Sequence, residues 1–97
     1  MELKKTRVTV KEVINADTFK VAPHWQSTGQ EEGDTIKING YTAPKPGQTG
    51  FEKAKTDLES IIRGKNVELK NPQAATGGQL VCDVMVEGKD ITTLLNR

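Results

Sequence analysis

The sequence predicts one small, mainly β domain with helices, closed as a five-stranded Greek-key barrel of the OB type. Three observations predict it. The chain has 97 residues, of which only 34% are hydrophobic. That suits a compact core enclosed by one curled sheet better than a layered α/β fold. Alternation of apolar and polar side chains marks the strand segments, and a 3.6-residue spacing marks the helices. The elements fall in the order β-β-β-α-β-β-α, which is that of an OB-type barrel.

The first strand covers residues 6–14. Val8, Val10 and Ile14 share one parity with Glu12, while Arg7, Thr9 and Lys11 share the other with Val13, the pattern of a half-buried strand. Asn15-Ala16-Asp17 reads as a turn, because Asn tolerates left-handed backbone and Asp bonds nearby amides. Thr18-Phe19-Lys20-Val21 alternates again, so residues 6–22 form a hairpin. Residues 23–34 are expected to be a polar loop carrying Trp25, and Ile36 and Ile38 mark a third strand that ends at Asn39-Gly40. Residues 41–49 hold two prolines and a glycine and are expected to be irregular. Thr49-Gly50-Phe51-Glu52 has the spacing of a capping box. Phe51, Ala54, Leu58, Ile61 and Ile62 follow at helical spacing up to Gly64, a natural stop. Val67 and Leu69 mark the fourth strand, residues 71–78 a loop, and Leu80, Cys82, Val84 and Val86 the fifth strand. Glu87-Gly88 turns the chain, and Asp90 is placed to cap a last short helix through Ile91, Leu94 and Leu95. No repeat or linker divides residues 1–97, which are read as a single domain.

Composition excludes several functions. The net charge is +1 with both signs interspersed, so phosphate binding has to rest on local clustering rather than on a global basic field. A single cysteine, Cys82, excludes an intrachain disulfide, and with one histidine, His24, it excludes a protein-only structural zinc site. Cys82 lies in the apolar phase of its strand, as a small buried hydrophobe does. No apolar run approaches the ~20 residues of a membrane span, so no membrane contact is expected. The first residues have no apolar signal-peptide region, which leaves the cytoplasm as the default expectation. Lys4, Lys5 and Arg7 are expected to fray. Gly77-Gly78 reads as a hairpin turn, since no helix follows to make a phosphate cradle. Trp25 has two readings: a platform on which a base stacks, worth about 1–3 kcal/mol, or a side chain folded back over the barrel.

Four segments carry a family resemblance. "VTVKEVINADTFKV", "GDTIKINGYTAPKPGQTG", "GFEKAKTDLESIIRGKNVELKNP" and "GGQLVCDVMVEGKDI" resemble, in this order and spacing, the opening hairpin, active-site loop, helix and fifth strand of the staphylococcal-nuclease-like (thermonuclease) family. The resemblance spans residues 8–95 and implies an OB-type barrel of the staphylococcal-nuclease type. In that family two aspartates and a backbone carbonyl hold calcium, a glutamate activates water, and two arginines neutralise the phosphodiester. Carried across, the first metal aspartate falls on Asp17 and the second on Thr42, with the carbonyl on Ala43. The general base falls on Lys45, the strand arginine on Lys37 and the second arginine on Gln79. Ala16 stands where the family usually has a glycine.

The resemblance therefore implies a frame without its chemistry. A family site of three carboxylates and two arginines has net charge −1, whereas Asp17, Lys37 and Lys45 sum to +1. Calcium takes about six to eight oxygen ligands and needs charged ones for tight binding. The expectation is a domain that has lost both calcium and hydrolysis, with no catalytic residues. Asp17, Thr42 and Ala43 remain as relic metal positions, and Lys37, Lys45 and Trp25 are the candidate ligand contacts. The expected partners are single-stranded nucleic acid or another anionic ligand, bound weakly, or a protein at the C-terminal edge. The family usually continues there into further helix, whereas this chain ends soon after Ile91, Leu94 and Leu95. The alternative, a calcium-dependent phosphodiesterase with atypical residues, needs carboxylates from outside the pattern, such as Glu12, Glu31, Glu32 or Asp34.

Overall fold

The computed structural model describes residues 2–95. Six strands and two helices follow one another as β1 (Arg7–Asn15), β2 (Thr18–Gln26), β3 (Glu32–Ile38), α1 (Phe51–Ile62), β4 (Asn66–Thr76), β5 (Gln79–Val86), β6 (Lys89–Asp90) and α2 (Ile91–Leu95). The sheet order is β3-β2-β1-β4-β5-β6, and β3 also pairs in parallel with β5 from Thr35↔Gln79 to Ile38↔Cys82. That last pairing closes β1, β2, β3, β5 and β4 into the expected five-stranded OB-type barrel, with β6 a short addition beside β5. Closure removes most of the free edges that an open sheet leaves.

β5 keeps strict alternation: Leu80, Cys82, Val84 and Val86 are buried while the residues between them are only half-buried. β1 does not. Val10 pairs with Val21 but Glu12 with Lys20, and Val13 pairs with Phe19 but Asn15 with Thr18. Each slip puts one extra residue into β1, as a bulge does. The first reverses the strand's phase, so Val13 enters the core and Ile14 stays half-buried, the reverse of the expected parity.

The expected loop over residues 23–34 is mostly strand. β2 continues to Gln26 and β3 begins at Glu32, leaving a connection of residues 27–31. The register slips between Lys20↔Thr35 and Trp25↔Gly33, and the slip holds Pro23, which has no N–H to give a ladder. The N-terminal residues are pinned rather than frayed. The Lys4 N–H donates to Gln26 O at 2.8 Å, the Thr28 N–H donates to Glu2 O at 2.9 Å, and Leu3 packs against the core.

The expected loop over residues 71–78 is also mostly strand. β4 runs to Thr76, and the turn is Gly77-Gly78 alone, with φ of 59° and 84°. Positive φ at both central residues is what a two-residue type I′ hairpin demands, and glycine supplies it without strain. Farther back, the β4–β5 register slips between Lys70 and Ala74. The Asp83 carboxylate braces the slip by accepting from Asn71 Nδ2 at 2.9 Å and from Asn39 Nδ2 at 3.0 Å.

α1 lays Leu58 and Ile62 into the barrel. Its expected capping box does not form. Gly50, at φ 87°, takes the N-cap position with no side-chain cap bond, so Thr49 and Glu52 stand one position out of register for the reciprocal pair. The helix stops as expected at Gly64, whose φ is 74°. Asp90 does cap α2, accepting from the Thr92 N–H at 2.9 Å and the Thr92 hydroxyl at 2.7 Å. Ile91 is fully buried, and Leu94 and Leu95 pack half-buried against the core. The last residues of the C-terminal expectation, Asn96 and Arg97, lie outside the described residues. Among the described residues no helix is long and apolar enough to cross a membrane.

Candidate functional site

Six sequence-predicted positions meet in one open cleft of about 450 Å³: Asp17, Lys37, Thr42, Ala43, Lys45 and Gln79. Tertiary structure brings them together from four places. Asp17 sits in the β1–β2 turn, where its carbonyl accepts the Ile38 N–H at 2.9 Å and ties the turn to the end of β3. Lys37 lies between the buried Ile36 and Ile38, so its side chain takes the outward phase of β3 and is exposed. Gln79 enters through the parallel β3–β5 pairing, where it stands opposite Thr35. Thr42, Ala43 and Lys45 come from the loop after β3. That loop is fastened at its far end: the Lys45 N–H donates to Gln48 Oε1 at 2.8 Å and the Gln48 N–H to Lys45 O at 2.9 Å.

Asn15, Thr18, Tyr41, Pro44 and Pro46 complete the lining. Tyr41 is a site residue that the sequence reading passed over, although it is the chain's single tyrosine and directly precedes the loop. Its ring packs against the core. Burial, then Asp17, then Asp57 push its hydroxyl pKa up from 10.0, so the hydroxyl keeps its proton well into the alkaline range and is available as an O–H donor beside the cleft. The Asp17 carboxylate accepts the Thr18 hydroxyl at 2.9 Å. Ala16 is buried without needing left-handed backbone, since the non-glycine residues with positive φ are Gln30, Asn71 and Glu87 among the described residues.

Trp25 is a correction. It does not reach the cleft and offers no face for stacking. It is 1% exposed, and its indole N–H is shared between Thr35 O and Gly78 O, both at 3.1 Å. Strand continuation through Trp25 turns the ring inward and makes it a clamp across the β3–β5 seam. Cys82 is fully buried, and burial with the Asp83 charge pushes its thiol up to about 12, which suppresses the nucleophilic thiolate.

The donor set does not fit calcium. Asp17 is the one carboxylate among the lining residues, facing Lys37 and Lys45. Among the described residues no three His, Cys, Asp or Glu side chains gather at one point. The carboxylates outside the pattern do not line the cleft. Glu31 and Glu32 border a separate hollow with Lys4 and Gln30, Glu12 stands opposite Lys20 in the bulged part of β1, and Asp34 accepts from the Thr35 hydroxyl. Lys37 and Lys45 form no ion pair among the described residues, with Asp17 or any other acid. Two exposed ammonium groups thus share a concave surface with a single acid.

In comparisons with known proteins, no family model and no curated protein matches this chain.

Proposed function

We propose that this barrel is a binding module on a staphylococcal-nuclease-like frame that has lost hydrolysis, and that its cleft takes the phosphates of single-stranded nucleic acid. One observation carries the reading: Lys37 and Lys45 line the same cleft, exposed and unpaired among the described residues, against the single carboxylate of Asp17. The open shape and the Tyr41, Asn15 and Gln79 donors suit a flexible backbone better than a buried small molecule. The binding is weak, because two lysines release few counterions. For a single strand the slope of log K against log salt is about −0.7 per phosphate neutralised, hence about −1.4 in total.

The test is titration of a short single-stranded oligonucleotide followed by amide NMR over a salt series. Shifts should map to residues 15–18, Lys37 and residues 41–46. Lys37→Ala and Lys45→Ala should each weaken binding and flatten the slope by about 0.7. Salt-independent binding, or binding that both variants leave intact, refutes the reading. Cleavage of the oligonucleotide that Asp17→Ala abolishes would instead establish the phosphodiesterase alternative.

A specific observation favours a second use. Leu94 and Leu95 are only partly buried, and Leu94 lines a hollow of about 260 Å³ with Ile61 and Val86 inside a rim of Ser60, Lys65, Glu87 and Lys89, an apolar floor with a polar rim of the kind a protein partner covers. Leu94→Ser should abolish association with a protein that covers this hollow while leaving the oligonucleotide slope unchanged.

A further inference from the structure

We infer that the cleft takes RNA in preference to DNA, because the Asp17 carboxylate reads a ribose 2′-hydroxyl beside a phosphate held by Lys37 and Lys45. The inference rests on the phosphate-binding reading above and concerns the one charged group of the cleft that this reading leaves without a use. Asp17 is the only carboxylate among the lining residues, and a carboxylate repels a phosphate. Its side chain does little for the fold. The tie between the β1–β2 turn and β3 is made by its backbone carbonyl, which accepts the Ile38 N–H. The carboxylate accepts one bond, from the Thr18 hydroxyl at 2.9 Å, out of about four that its two oxygens can take. It forms no ion pair among the described residues. An acid that lines the same cleft as two lysines and pairs with neither suits a neutral donor carried by the anion itself.

The placement fits a single nucleotide. Thr18 is 7% exposed and stands directly opposite Lys37 in the β2–β3 ladder, so the hydroxyl that holds Asp17 shares a face with Lys37. Bonding to this buried hydroxyl fixes one carboxylate oxygen and leaves the second free to accept. In an RNA strand the 2′-hydroxyl and the following phosphate sit on adjacent carbons of one sugar, so a donor arrives next to the charge. Deoxyribose brings the charge alone. Asn15, Tyr41 and Gln79 complete the wall, but they bond phosphate or base alike in both nucleic acids and give no such preference. A hydrogen bond to a charged acceptor in an open cleft is worth about tenfold in affinity.

The test is an amide-NMR titration with single-stranded RNA, DNA and 2′-O-methyl RNA of one sequence, free of uracil and thymine so that the bases are identical. RNA should bind about tenfold more tightly than DNA at the same salt concentration. The 2′-O-methyl strand keeps the ribose but has no donor there, and should bind no better than DNA. Asp17→Ala should tighten DNA binding, by removing the repulsion, and bring the RNA-to-DNA ratio to about one. If that variant misfolds because the Thr18 hydroxyl loses its acceptor, Asp17→Asn carries the test. Its amide oxygen still accepts from Thr18, and the ratio should fall to about threefold, the value of a neutral bond. Equal binding of RNA and DNA that still depends on Lys37 and Lys45 overturns this inference and leaves the phosphate cleft standing. So does a 2′-O-methyl strand that binds as tightly as RNA, or a preference that both Asp17 variants keep. Absence of binding by every strand overturns the phosphate cleft, and this inference with it.

Discussion

Replacing Trp25 with phenylalanine separates the two roles a lone tryptophan can have. The ring is 1% exposed, and its N–H serves carbonyls on both sides of the seam that closes the barrel, Thr35 O and Gly78 O. Gly78 O keeps a second donor, the Thr35 N–H at 3.3 Å, so its loss is partial. Phenylalanine retains most of the apolar surface but removes that one shared donor. Losing the donor beneath part-buried acceptors costs about 1–3 kcal/mol. The missing ring volume, roughly 40 Å³ if nothing collapses, adds about 1 kcal/mol at ~24 cal/mol per Å³. The sum, about 2–4 kcal/mol, is a large share of the ~5–15 kcal/mol typical of a domain. It corresponds to a fall in Tm of at least ~8 °C for a chain of this size. Urea unfolding followed by far-UV circular dichroism is the assay, since the substitution removes the only tryptophan. The midpoint should fall with the m-value unchanged. In the parent protein, tryptophan emission should resist acrylamide and should not change with oligonucleotide. A loss below about 0.5 kcal/mol, or a folded variant that has selectively lost nucleic-acid binding, would refute the clamp and restore the stacking role.

Gly33→Ala should destabilise by more than the ~1–3 kcal/mol of ordinary overpacking. A Cβ there overlaps the backbone carbonyl of Gly78, which has no flexible end to move aside, and thermal melting reads the loss directly. Alkaline titration should show Tyr41 and Cys82 ionising late. Both folded values are raised, from 10.0 for Tyr41 and from 9.0 to about 12 for Cys82. The unfolded chain therefore loses these protons first, and the stability they confer is whole below pH 9.0 and declines as pH climbs towards about 12. Tyrosinate absorbance and thiol reactivity in native protein, set against unfolding midpoints and a Cys82→Val control, measure each part. Calcium should bind no tighter than about 1 mM, the weak end of natural sites. The joint substitution of Thr42→Asp, Lys45→Glu and Gln79→Arg should create a calorimetric one-to-one calcium site, and its failure to do so would count against the proposed staphylococcal-nuclease-like frame.

Elements set by neighbours in sequence were legible without the fold. α1 shows in the spacing of Leu58, Ile61 and Ile62 before Gly64, β5 in its unbroken alternation, and the α2 cap in Asp90, because each pattern depends on residues a few positions apart. The order of elements was enough to anticipate an OB-type barrel. The short segments around Asp17, Lys37, Thr42 and Gln79 were enough to name most residues that line the cleft. What escaped the sequence depends on how the strands pair rather than on which side chains are apolar. Val13 replaces Ile14 in the core because of where β2 pairs with β1. Residues 71–76 look like a loop by composition and become strand because β5 lies beside them. Trp25 leaves the surface because β2 runs past Pro23 to reach Gly33. Tyr41 joins the cleft because the β1–β2 turn brings Asp17 near it. A local pattern records which side chains avoid water. Register, bulges and the last strand pairing decide which of them meet, because those are settled by backbone hydrogen bonds between strands, which no apolar-polar pattern within one strand records.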